Sequence, residues 1–172
     1  MSALVAATCN ALAELLEEAP ADAWDHPTAC EGWQVRHVVA HLTMPARYDE
    51  PTFLSMLADD GFDFTKLSDR LASGDGALPA TTLLANLRAD ALHRWEPPGG
   101  GPKGALDHAV IHALDVTVPL GAHGCIPSDA VRAVLEDLTT GGAHAHFATD
   151  IGVGDAAGTD EERVLRLAGR DV

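Results

Sequence analysis

The chain has 172 residues and a formal net charge of −15, from 26 acidic side chains against 11 Lys plus Arg. So acidic a surface repels phosphate backbones and anionic membranes, which argues against nucleic acid and lipid headgroups as partners. Aromatic residues make up only 5% of the chain, and the dominance of alanine and aliphatics suits helices packed on helices better than a β-sandwich.

In chain order, the first predicted helix runs from Ser2 to about Glu18, with Leu4, Val5, Leu12, Leu15 and Leu16 as its apolar side and Pro20 beyond its end. A turn-like linker from Asp25 to Trp33 follows. A second helix begins near Gln34, with Val35, Val38, Val39 and Leu42 as its inward stripe. Pro45 predicts a break, because it removes a backbone donor four residues after His41. Helical pieces should continue to about Asp59, packed through Tyr48, Phe53, Leu54 and Leu57. Residues 61–79 read as a connection with one short helix around Leu67 and Leu71.

A third major helix is expected from Thr81 to Trp95, ended by the Pro- and Gly-rich run Pro97–Pro102. The fourth carries Leu106 to Val118 and stops near Pro119, Leu120 and Gly121. Another spans about Ser128 to Thr140, with Ser128 as N-cap. Residues 147–158 are rich in Gly and Asp and suggest a hairpin or loop, before a last helix from Asp160 to Ala168. Four helices of similar length predict a bundle, assigned to residues 1–142, with residues 143–172 as a short α/β or loop-plus-helix appendage packed on it. Cys9, Cys30 and Cys125 lack Cys-x-x-Cys spacing and read as reduced thiols. There is no basic region ahead of an apolar run and no apolar segment of bilayer length, so a cytoplasmic protein is expected.

The chemistry concentrates in Asp107-His108-Ala109-Val110-Ile111-His112-Ala113-Leu114-Asp115. Helical periodicity sets His108 and His112 within roughly 40° of each other, with Asp115 beside them. Such a stripe suits a metal ion, and it equally suits a packed helix whose histidines ride the core edge. On the second helix, His41 lies roughly 110° from the centre of the apolar stripe and His37 roughly 150° away. His41 therefore reaches a groove between helices, as a ligand or as a hydrogen-bonded imidazole, whereas His37 faces solvent. Arg47, Arg88 and Arg94 read as surface cations that could meet an anionic substrate, and Trp24, Trp33 and Trp95 as packing residues. His144 and His146 read as exposed; His26, His93 and His123 carry no assignment.

The run Pro27-Thr28-Ala29-Cys30-Glu31-Gly32-Trp33-Gln34-Val35-Arg36-His37-Val38-Val39-Ala40-His41-Leu42 resembles the opening signature of the mycothiol-dependent maleylpyruvate isomerase family, within the DinB/YfiT-like superfamily of metal-binding four-helix bundles. The segment from Val110 to Asp115, followed by Pro119-Leu120-Gly121, resembles its second signature. Phe147-Ala148-Thr149-Asp150 and Leu167-Ala168-Gly169-Arg170 resemble, more weakly, its C-terminal portion.

The resemblance implies an all-α DinB/YfiT-like bundle in which His41, His108 and His112 ligate a divalent metal. Zinc comes first; nickel, manganese and iron are compatible. At the position of His108 the family often carries glutamate, and three neutral imidazoles would leave the ion's charge uncompensated. Asp115 then becomes a candidate for orienting a ligand histidine, or else a surface acid or loop cap. The implied activity uses mycothiol, activated on the metal, to isomerise or S-conjugate a small electrophile. The partners expected are that electrophile and a low-molecular-weight thiol, with the chain a monomer or homodimer. The family's isomerases have a C-terminal domain that this chain holds at most in abbreviated form. That leaves two alternatives: a non-catalytic metal- or ligand-binding module, and a hydrolase or lyase using metal-bound water.

Overall fold

Nine α-helices form among the described residues of a computed structural model, which are residues 1–140 and 158–172. They are α1 (Ser2–Glu18), α2 (Val35–Leu42), α3 (Glu50–Asp59), α4 (Phe64–Asp75), α5 (Ala80–Leu87), α6 (Asp90–His93), α7 (Gly101–Thr117), α8 (Ser128–Thr139) and α9 (Asp160–Leu167). No strand forms among the described residues; one isolated antiparallel bridge pairs Pro27 with Gln34. The architecture is the expected all-α, DinB-like bundle.

The bundle proper is α1, α2, α5 and α7, each packed on two or more of the others. Helix α7 is the central member. Every residue from Gly104 to Thr117 is buried, so this helix has no solvent face, as befits one enclosed on all sides. The predicted apolar face is there, but the neighbouring stripe of His108, His112 and Asp115 is interior too. Helix α8 packs on α7 and α1, and α9 packs on α8 and α7.

Local chemistry explains the boundaries. Extended backbone at Ala19, ahead of Pro20, ends α1. In the following loop Val35 N donates to His26 O (3.0 Å) and Thr28 N to Trp33 O (3.1 Å). Gly32 supplies the turn with φ +77°. At the start of α2, Gln34 N donates to His37 Nδ1 at 3.2 Å, which satisfies a backbone donor left over at a helix start. His37 is therefore half-buried, against the solvent-facing expectation. Its ring also packs against Gly76, where an added Cβ would stand 2.7 Å from the imidazole and from Ala72 O. Helix α2 stops at Leu42, as Pro45 requires.

Three boundaries depart from the sequence reading. Residues 61–79 hold a full helix, α4, because the Asp63 carboxylate accepts from Lys66 N (3.0 Å) and caps it. The expected Thr81–Trp95 helix is broken at Ala89, whose ψ of 131° is extended. His93 stabilises the break by hydrogen-bonding Leu87 O at 2.8 Å. Ser128 lies inside α8 and the cap position belongs to Pro127, whose fixed φ suits a helix entry. Residues 147–157 of the expected hairpin or loop, with His144 and His146, fall outside the described residues. No described helix is long and apolar enough to cross a membrane.

Two measurements test this packing. Leu114 is fully buried and Phe62 is 75% exposed; Leu114→Ala should lower unfolding free energy in urea by about 3 kcal/mol and Phe62→Ala by less than about 0.5. Burial pushes the Cys9 thiol up to about 12. A folded value above the unfolded one gives a contribution that is complete below the ordinary thiol range and lost as pH rises through about 9 toward 12. Iodoacetamide at pH 8 should accordingly label Cys9 only in the denatured chain, as read by mass spectrometry.

Candidate metal centre

Helices α2 and α7 bring three imidazoles together from two sides of one interface. His41, His108 and His112 are 4%, 7% and 4% exposed. Their ring centroids form a nearly equilateral triangle with sides of 5.2, 4.8 and 4.8 Å, and one ligand atom from each lies within 4.8 Å of the other two. The Nε2 atoms of His41 and His108 are 3.3 Å apart. Two nitrogens on a tetrahedral zinc at Zn–N about 2.0–2.1 Å stand roughly 3.3–3.4 Å apart, so this edge of the triangle has ligand spacing.

The residues fit a divalent cation by their protonation as well. Burial holds the imidazoles of His41 and His108 well below their ordinary value; the neighbouring His112 adds to this, and at His41 so do His108, Arg170 and Arg47. Both are neutral at physiological pH, the state in which imidazole ligates. His41 Nδ1 is buried with no hydrogen-bond partner among the described residues. A polar atom left so is costly, and only a bond to Nδ1 itself would offset it, whereas ligation through Nε2 would not.

Asp115 stands directly behind His112. Its carboxylate is fully buried and receives His112 Nδ1–H on Oδ2 at 2.9 Å, which turns the lone pair of Nε2 away from the acid. Arg170 donates to it twice, from Nε to Oδ1 (2.9 Å) and from Nη2 to Oδ2 (3.1 Å). Cys30 donates its S–H to Oδ2 at 3.1 Å. Burial alone would raise the Asp115 pKa, but the hydrogen bonds from His112 and Arg170 win and hold it at about 2. Cys30 is pushed the other way, up to about 12, by burial and then by the Asp115 charge, with Arg170 opposing.

Cys30, His112 and Asp115 also have ligand spacing. A protonated thiol and a carboxylate already receiving Arg170 and His112 are poor donors to a metal, so this second group is a hydrogen-bond cluster supporting the first. Three rings enclose the triad: Trp33 lies 5.1 Å from His41, Phe64 6.4 Å from His41 and Trp95 5.3 Å from His108.

The sequence-predicted residues therefore meet. His41, His108 and His112 converge, and Asp115 touches His112 instead of solvent. Other expectations change. Arg47 is not a solvated cation: its side chain is 13% exposed and paired with Asp75. Arg88 and Arg94 do form exposed pairs, with Glu17 and Asp90. Trp33 and Trp95 are half-buried walls of the triad, while Trp24 packs in the core. Arg170 and Cys30 carried no assigned role. Both lie inside segments quoted for their resemblance, which was the one available signal.

Comparison with known proteins agrees with the fold. The family of the mycothiol maleylpyruvate isomerase N-terminal domain matches the chain over residues 5–94. That span takes in His41 and ends before α7. Among curated proteins and solved structures none matches. With just over half its length matched, the chain belongs to the mycothiol maleylpyruvate isomerase N-terminal domain family, a mycothiol-related group of metal-binding, DinB-like helical domains.

Proposed function

We propose that this protein is a divalent-metal-dependent enzyme, with His41, His108 and His112 as ligands and zinc as the first candidate, that uses mycothiol to isomerise or S-conjugate a small electrophile. The observation that carries the reading is the convergence of three buried imidazoles at ligand spacing, two of them, His41 and His108, held neutral, in a chain of a mycothiol-related family. Three protein ligands leave a coordination position open, which distinguishes catalytic from structural zinc. A bound cation would supply one thing, acidification of a coordinated thiol so that it is a thiolate near neutral pH.

The chain's own residues do the rest. Asp115 holds the proton of His112 on Nδ1 and so presents Nε2 as the donor atom. Arg170 fixes Asp115 with two hydrogen bonds and keeps it a carboxylate. Trp33, Trp95 and Phe64 keep water from the imidazoles and lower the local dielectric, which strengthens any charge interaction inside. Neither His41 nor His108 is available as a general acid, because buried neutral imidazoles resist protonation.

The low exposure of all three histidines favours one second reading, a non-catalytic module that holds metal without turnover. The chain purified from a mycothiol-producing host should hold about one divalent ion, measured by plasma mass spectrometry. His41→Ala and His112→Ala should abolish it, and unchanged metal content in both would end the ligand assignment. Asp115→Asn should weaken metal affinity by about 10–100-fold in chelator competition while leaving the helical circular dichroism intact. Turnover of activated cis-alkenes or epoxides with mycothiol but not glutathione separates enzyme from module, and inertness across such a panel would favour the module.

A further inference from the structure

Among the described residues, the arginines near the triad are engaged within the protein, and the rings beside it are aromatic. Arg47 and Arg170 are the two arginines that act on His41. Arg47 uses all five of its N–H donors within the protein: Nε and Nη2 to Asp75 Oδ2 (3.2 and 3.0 Å), Nη1 to Thr43 O and Oγ1 (3.2 and 2.7 Å), and Nη2 to Ala40 O (2.6 Å). Arg170 is spent on Asp115 through Nε and Nη2, on Ala168 O through Nη1 (3.1 Å) and on Cys30 Sγ (3.3 Å). Neither has the free fork that a carboxylate would need for paired recognition. The net charge of −15 further opposes an anion arriving from solvent.

On the aromatic side, Phe64 has one edge toward His41 and more than half its surface, 53%, in solvent. Phe53 lies behind it with ring centroids 6.3 Å apart. Trp33 is held in place by a hydrogen bond from Nε1 to Asp69 Oδ1 at 3.0 Å. Its ring lies tilted at 59° against His41, and that of Trp95 at 60° against His108. An apolar strip thus runs from the surface at Phe64 down to His41. Flat aromatic faces of this kind favour stacked or edge-on planar partners.

Resting on the metal reading above, we infer that this centre takes an uncharged, planar, apolar electrophile, an aryl or conjugated carbonyl compound, and discriminates against dicarboxylates. Phe64 and Trp95 supply its binding surface, beside the coordination position that a thiol would take.

The test uses zinc-loaded full-length chain and three hydroxamates that share one chelating group: acetohydroxamate, benzohydroxamate and the monohydroxamate of succinate. Binding is read by titration calorimetry and tryptophan fluorescence. Benzohydroxamate should bind about tenfold more tightly than acetohydroxamate, and the succinate compound no more tightly than acetohydroxamate. Phe64→Ala, at a solvent-exposed position, should remove at least about threefold of the phenyl advantage and leave acetohydroxamate unaffected. Trp95→Leu, which keeps apolar bulk, should do the same. The substrate class is overturned if the carboxylate-bearing probe binds best, or if the phenyl advantage survives both substitutions. A chain that takes up no zinc would instead sink the metal reading, and the assignment with it.

Discussion

One buried carboxylate organises the molecule. Asp115 has no solvent contact and stays ionised inside an apolar bundle, where an uncompensated charge would cost several kcal/mol. Its compensation comes from three separate places: His112 one turn back on α7, Cys30 in the loop before α2, and Arg170 beyond α9. The backbone of the same residue is also engaged, since Ala29 N donates to Asp115 O at 2.9 Å. Satisfying this one residue fixes the rotation of α7 about its axis. The direction of His108 and His112 toward α2 follows from that.

The charge balance of the centre follows as well. Asp115 and Arg170 cancel, His41 and His108 are neutral, and Arg47 is cancelled by Asp75. A chain of strongly negative net charge thus pairs off the carboxylates and guanidinium groups around its interior site. The cation's own charge would be the dominant field there, unlike a site with a glutamate ligand, which would neutralise part of it.

How much could be read in advance depended on the range of the interaction. The helical spacing of His108, His112 and Asp115 is local, and so is the angular separation of His41 from His37 on α2. Both survive into three dimensions because helices α2 and α7 are regular through those residues. Helix ends set by Pro20 and Pro45 were legible for the same reason. The break at Ala89 was not: Leu83 to Leu92 keep helical spacing across it, and the deciding contact is His93 with Leu87 O. Helix α4 was underestimated because its Gly74, Ser68 and Asp69 are weak helix formers, and its stability comes from packing on α2. The Arg47–Asp75 and Arg170–Asp115 pairs span 28 and 55 residues, and neither leaves any mark in local pattern.

The loop from His26 to Gln34 has a consequence for how this family can diversify. Its backbone is pinned at both ends by Val35 N on His26 O and Thr28 N on Trp33 O, while Ala29 N reaches α7. An inserted residue there would lift Cys30 and Trp33 away from the histidines and unlatch α7 at once. Helix α3, by contrast, buries none of its residues. Residues 50–59 can therefore change with little effect on the histidines, but the turn at Gly32 must keep its length.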